Sequence, residues 1–383
     1  MEMRKRLLII GAGTGGLMVA NFVGRDLHGE IERGEISVTL MGEQEVYTYQ
    51  PGFLYVVFDL MRPAQLIRPV RELLAPGIAF VHDRALRIDA QAHKVLRAQG
   101  DPLEYDILVI ATGSNLNLQE VPGLAEGGHW FYTLDGALRL RDALRNWQGG
   151  KLVLTVGVPH KCPVAPLEFT MMFDEWARLR GVRDKTEIVY SYPLGRAHSI
   201  QSVADWAGPE LEARGVRVET FFNLESVDPA KRVASSLEGT DLPYDLLVAI
   251  PPHQGDELGS TSHLTEAGNW YPTDRHALSL QGHEDIFVLG DATNLPVSKA
   301  GSVAHFEAEV LADNLVGLLT EGSPPLHHYN GRAFCFIETG LDRATFISFD
   351  YEHPPTVPGA TNAVHWFKQT YNRIHWANLK AVM

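Results

Sequence analysis

Cysteine is almost missing from this chain: 383 residues carry two, Cys162 and Cys335. That excludes a disulfide-stapled mini-fold, a CxxC redox pair and a Cys-rich zinc or iron–sulfur site. Two options stay open, a pair of buried spectators or one widely spaced working pair. An excess of positive charge is missing as well. Lys and Arg total 33 against 47 Asp and Glu, a net charge of −14, which disfavours broad electrostatic binding to nucleic acid. Low-complexity tracts are absent, and 45% hydrophobic with 21% charged residues rules out disordered and fibrous classes. Long apolar runs are scarce. Residues 7–24 are uncharged behind the basic start MEMRKR and resemble a signal-peptide core or a short span, but Gly11, Gly13, Gly15, Gly16 and Gly24, with Thr14 and Asn21, interrupt them. The expectation is a chain that does not cross a bilayer. With no signal segment, the cytoplasm is its default location.

What is present begins with Leu7-Leu8-Ile9-Ile10, an apolar run suited to a buried parallel strand. Gly11-Ala12-Gly13-Thr14-Gly15-Gly16 follows, then a helical pattern through Leu17, Ala20 and Phe22, then a second strand, Ile36 to Met41, ending in Gly42-Glu43. This is a βαβ unit with GxGxxG at its first turn and an acid after its second strand. Gly11 makes the tight turn, Gly13 admits a pyrophosphate, Gly16 permits close helix–strand packing, and Glu43 accepts from ribose hydroxyls.

The chain then repeats itself. Leu103-Glu104-Tyr105-Asp106-Ile107-Leu108-Val109 recurs as Leu242-Pro243-Tyr244-Asp245-Leu246-Leu247-Val248, and the opening strand recurs as Leu152 to Gly157. The second unit lacks the nucleotide turn. Aligning Gly157 with Gly11 puts Pro159 at the place of Gly13 and Cys162 at that of Gly16, and neither has glycine's backbone freedom. Its next strand, Glu187 to Tyr192, runs into Pro193 with no acid at the ribose position. The expectation is a dinucleotide-type fold that no longer binds NAD(P)H. Two further motifs belong to the first nucleotide. Ile110-Ala111-Thr112-Gly113 ends one strand, and Leu289-Gly290-Asp291-Ala292 ends another before a helix from about Val303 to Leu319.

GxGxxG, then ATG, then GD, each at a strand end, resemble the two-dinucleotide-binding-domain flavoproteins. The resemblance covers essentially the whole chain. It implies non-covalent FAD held by Gly11, Gly13, Gly16, Glu43, Thr112, Gly113, Gly290 and Asp291, with Lys299 near the flavin pyrimidine ring. Within that superfamily, Lys161-Cys162-Pro163-Val164-Ala165-Pro166-Leu167-Glu168 and Ala333-Phe334-Cys335-Phe336 look like sulfide:quinone oxidoreductase. That resemblance implies a Cys162–Cys335 redox pair and Glu168 as base for incoming sulfide. It also implies His129 and His198 on the sulfide side, although with 16 histidines a lone one is usually structural. No metal is implied. Flavocytochrome c sulfide dehydrogenase shares the cysteine pair but attaches FAD through a cysteine where this chain has Gly42, Glu43 and Gln44. The implied reaction oxidises sulfide to sulfane sulfur or polysulfide and passes the electrons to a membrane quinone. Phe336 and Phe346 are candidates for the quinone side, against the plainer view of aromatic core.

The tail bears on the quinone. From His353 to Met383 there is no acid, against Lys368, Arg373 and Lys380. Val364, Phe367, Tyr371, Ile374 and Val382 share one helical stripe, with Trp366 and Trp376 beside it. Such a helix suits an interfacial membrane anchor or docks on its own domain.

The sequence therefore specifies an α/β chain with two tandem Rossmann-like domains and a C-terminal amphipathic membrane-associating segment. Expected boundaries are 1–114 with 284–325 for FAD, 115–283 for the degenerate second domain, and 326–383 for the quinone and membrane interface. The alternatives are a sulfide dehydrogenase donating to a cytochrome c, a flavin and thiol redox sensor without turnover, and an NADH:quinone reductase. A homo-oligomer is compatible with all of these.

Overall fold

A computed structural model describes residues 5–381. The first unit runs through β1 (Lys5–Ile10), α1 (Thr14–Asp26), β2 (Ile36–Gly42), the short helix α2 (Phe53–Val57), β3 (Ala79–His82) and β4 (Ile107–Ile110). The second runs through β5 (Gly150–Val156), α3 (Ala165–Leu179), β6 (Thr186–Tyr192), β7 (Arg217–Thr220) and β8 (Leu246–Ile250). The chain then returns to the first sheet with β9 (Ile286–Val288), followed by the long helix α4 (Gly301–Thr320). A hairpin, β10 (Ala333–Glu338) and β11 (Ala344–Phe349), and a last helix, α5 (Asn362–Leu379), complete it.

Two parallel sheets result, in the orders β9-β4-β1-β2-β3 and β7-β6-β5-β8. The second repeats the first without its returning strand, as the duplicated sequence requires. Leu7 to Ile10 are all buried because both faces of the sheet are covered, Leu7 and Ile9 in the cluster of α1 and α4 and Leu8 and Ile10 against Ile88 and Val95 of an antiparallel sheet. Small residues set how close those helices come. A Cβ on Gly15 of α1 would lie 3.0 Å from Leu289 and 3.8 Å from Ala304 of α4.

The helix α5 is amphipathic in the opposite sense to a packed surface helix. Its inward residues are His365, Lys368, Asn372 and His375, while Trp366 and Phe367 are each 63% exposed. Of the apolar stripe read from the sequence, Val364, Phe367 and Ile374 are half-buried or exposed, while Tyr371, half-buried, turns to the cavity beside Phe336; Val382 lies outside the described residues. Lys368, one of the three basic residues of the tail, points inward. Two buried carboxylates wait there, and compensating them outweighs leaving the ammonium in water. The far end of α5 is pinned by Asn21 of α1, whose amide donates to the carbonyls of Leu73 and Leu379 and accepts from the backbone N–H of Ala75. Among the described residues, no helix is long and apolar enough to cross a membrane.

Candidate active site

One cavity of 620 Å³ runs from the glycine turn after β1, past the ends of β4 and β9, to the hairpin and α5. Gly11 has φ +109°, and a Cβ there would sit 2.2 Å from the carbonyl of Ala111. A Cβ on Gly16 would sit 1.9 Å from the carbonyl of Gly11, so both positions exclude any side chain. Gly13 has nothing within 4 Å of that point, so the backbone there opens onto the cavity. It is also the N-cap of α1 with no side-chain cap, which leaves helix N–H groups free for an anion. Thr112 lines the same space with a buried hydroxyl that has no partner. Glu43 stands at the exposed rim, and Gly113, Gly290, Asp291 and Lys299 line the interior. Lys299 donates to the carbonyls of Asp291 (3.0 Å) and Thr293 (2.6 Å) and lies 4.0 Å from the Trp270 ring centre. A Gly cradle, an unpartnered hydroxyl and an uncapped helix start fit a dinucleotide.

Both cysteines line this cavity as free thiols. Cys162 donates its N–H to the carbonyl of Lys299 (2.9 Å) and has φ +50°, a left-handed conformation that costs a non-glycine residue of order 1–2 kcal/mol. Cys335 is carried by β10 opposite Ile347. Burial pushes both thiols up, Cys335 to about 12; for Cys162 the nearby Cys335 and Glu168 add to that rise. The sulfurs therefore favour neutral forms, thiol or disulfide, over a standing thiolate.

Glu168, in the first turn of α3, is buried against Lys368 of α5 and accepts the backbone N–H of Glu338 at 2.8 Å. Burial raises its carboxyl while Lys368 opposes the rise. Glu338, fully buried, accepts from Tyr55 (2.6 Å), meets His365 at 2.9 Å and lies 3.9 Å from the Lys368 ammonium. Further along α5, Tyr49 donates to Asn372 at 2.7 Å and Tyr47 bonds His375 at 2.7 Å. This ladder was missed from sequence. Its signal was present in the 3-4-3 spacing of 365, 368, 372 and 375, a polar helical stripe that the apolar stripe drew attention away from. Lys161 was missed too; its ammonium reaches Gln50 at 2.8 Å and Asp291 at 3.6 Å inside the cavity.

The structure does not bring every candidate to this space. Phe336 lines it; Phe346 lies behind, stacked on Phe334 at 5.4 Å. His129 is half-buried beside β8, where its backbone pairs with Leu247 and Ala249, and does not line the cavity. His198 is fully buried outside the cavity wall, its Nδ1 accepting the N–H of Ile200 at 3.0 Å and its Nε2 unpartnered. Burial, with help from His160, holds His198 down at about 4, against 6.5 for the free side chain, and burial holds His253 at about 3. Unfolded histidines take up protons below about pH 6.5 that these folded ones refuse, so stability falls as pH drops from there towards 4. The His198 contribution to that loss is up to about 3 kcal/mol. Urea unfolding between pH 7 and 4.5 checks this, with His198→Asn expected to flatten the slope.

At the second glycine position, a Cβ on Gly157 would lie 2.7 Å from Pro252. Pro166 stands in the first turn of α3, and the Glu168 carboxyl occupies the same turn. Pro166 has no N–H to offer a second pyrophosphate at that helix start.

A family model described as pyridine nucleotide-disulphide oxidoreductase matches residues 5–308. The mitochondrial sulfide:quinone oxidoreductase of Mus musculus is 25% identical, over 98% of this chain and 84% of that protein. An NADH dehydrogenase-like protein of Mycobacterium tuberculosis is 31% identical over 61% of this chain and 59% of its own length. The X-ray structure of the sulfide:quinone oxidoreductase from Aquifex aeolicus superposes with a TM-score of 0.86 at 21% identity, over 99% of this chain and 92% of that one, which shows a shared fold.

Proposed function

The chain belongs to the pyridine nucleotide-disulphide oxidoreductase family, and from that membership we propose that it is an FAD-dependent sulfide:quinone oxidoreductase using Cys162 and Cys335 as its redox pair. The observation that carries this is the presence of two distant cysteines, and no others in the chain, on one cavity with the dinucleotide cradle. Its near full-length likeness to the mouse enzyme supports the same substrate pair.

A bound flavin supplies a two-electron acceptor for reduced sulfur and a two-electron donor for a quinone. The chain's own groups do the sulfur chemistry. Hydrosulfide attacks one sulfur of the oxidised pair; the Cys162–Cys335 bond breaks, a persulfide bond forms, and the other cysteine leaves as thiolate. Burial disfavours a standing thiolate at either position, so the electron pair is passed on instead of stored. Glu168, paired with Lys368, is placed to take a proton from incoming H₂S. Sulfane sulfur then leaves to a second sulfide, a growing polysulfide or a thiol.

Quinone reaches the cavity along Phe334, Phe336 and Tyr371 beneath α5, and α5 seats its outward Trp366 and Phe367 in the membrane interface. The double substitution Trp366→Ser with Phe367→Ser removes about 3 kcal/mol of apolar burial in lipid and so about 10²-fold of binding. Co-sedimentation with phosphatidylglycerol-containing vesicles checks it; unchanged binding places the membrane contact elsewhere.

The activity itself is tested by following decylubiquinone reduction by the flavin-loaded protein. Turnover with sulfide is expected. Equal turnover with NADH, or reduction of cytochrome c in the absence of quinone, contradicts the assignment.

A further inference from the structure

The cluster behind the cavity holds more ionisable groups than an ion pair needs. Glu168 and Lys368 line the cavity and satisfy one another. Glu338 is a second carboxylate with none of its side chain exposed. Such a group is costly unless it is compensated. Its partners are Tyr55 from α2 at 2.6 Å, the ammonium of Lys368 at 3.9 Å and Nδ1 of His365 at 2.9 Å. Glu168 faces the same group from α3, and Gln369 of α5 reaches it at 3.5 Å. Burial holds the Tyr55 phenol far up, a permanent donor. With His365 neutral, the four charged positions sum to −1; with His365 protonated they sum to zero. The cluster is thus one positive charge short of formal balance, and the His365 ring in contact with Glu338 is the group that can supply it.

We propose that Glu338 and His365 carry protons between solvent and the cavity during the quinone half of the reaction, with His365 as the outer station. The path runs from the His365 ring, in the first turn of α5 beside the exposed residues 361–363, to Glu338, then to Lys368 and Glu168 at the cavity wall. It rests on the proposed sulfide:quinone activity, whose proton balance calls for it. Hydrosulfide loses its S–H bond, one proton and two electrons on becoming sulfane sulfur. The quinone gains two electrons and two protons in two new O–H bonds. A turnover that starts from hydrosulfide thus takes one proton from solvent, and one that starts from H₂S must return the proton removed at Glu168 to the quinone side; the groups there are almost wholly out of water, the Glu168 side chain 7% exposed and that of Lys368 10%. His365 and Glu338 act through these and are proton-positioning residues.

The test separates the two half-reactions in the flavin-loaded protein. Enzyme reduced with dithionite is mixed anaerobically with decylubiquinone, and flavin reoxidation is followed in H₂O and D₂O from pH 6 to 8. His365→Phe is expected to slow reoxidation by about 10²-fold, to raise its solvent isotope effect and to be partly rescued by added imidazole. His365→Gln keeps a donor towards Glu338 but cannot exchange protons as imidazole does, and is expected to match His365→Phe in rate while retaining wild-type unfolding in urea. Bleaching of the oxidised flavin by sulfide is expected to stay within about twofold in both. Reoxidation unchanged in His365→Phe, or slowed with the wild-type isotope effect and pH profile, overturns the path. Because dithionite supplies the electrons, a wild-type flavin that sulfide fails to bleach speaks against the proposed function alone, and the reoxidation comparison still decides the proton path.

Discussion

Replacing Cys162 with serine is expected to abolish sulfide-dependent bleaching of the flavin by at least about 10³-fold, a rise of about 4 kcal/mol in the barrier. A hydroxyl cannot join the sulfur–sulfur exchange, so the step is removed, not weakened. Cys335→Ser is expected to do the same, because both sulfurs line one cavity and each is the other's exchange partner in the proposed reaction. The proposed dinucleotide cradle consists of Gly11, Gly13, Gly16 and Thr112, none of which either substitution replaces. Both variants should therefore keep wild-type flavin content and unfolding. Rapid-mixing absorbance of the flavin against sulfide measures the loss. Sulfide bleaching that survives either substitution would remove the redox pair from the mechanism.

Replacing Lys368 with methionine is expected to cost about 3–5 kcal/mol of folding free energy, since Glu168 and Glu338 are left buried without their cation. The pH dependence identifies the cause. Burial already raises the Glu168 carboxyl above 4.5, and Lys368 is the principal group opposing it. Without the ammonium, folded Glu168 binds a proton that the unfolded chain releases above about pH 4.5, so the deficit grows as pH rises from there. Adding Glu168→Gln recovers part of the loss and flattens its pH slope. Urea unfolding at pH 5.5 and 8 measures both, and a pH-independent deficit would mean that Lys368 contributes packing alone.

The sheet-building half of this protein was legible because its signals are local. Apolar four-residue runs, a glycine turn whose Gly11 and Gly16 admit no Cβ, and a duplicated Tyr-Asp strand entry each specify a βαβ unit from neighbouring residues. Cys162 was legible by contrast, as an odd residue where the glycine turn fails, although the structure puts it in the loop before α3 with φ +50° and not inside the helix as Gly16 is in α1. The α5 interface was not. Its apolar stripe was visible, but which face turns inward depends on Glu168, Glu338 and three tyrosines far away in sequence, and helical periodicity carries no record of a distant partner. His129 shows the same limit from the other side: a histidine in a suggestive loop whose tertiary position beside β8 keeps it off the cavity wall.

The most direct measurement is an anaerobic titration of the oxidised, flavin-loaded protein, with sulfide in one cuvette and NADH in the other, followed by flavin absorbance. Sulfide bleaches the flavin within mixing time and NADH leaves it oxidised if Cys162 has replaced the nicotinamide site with a sulfur site. Bleaching by NADH, with sulfide inert, contradicts that.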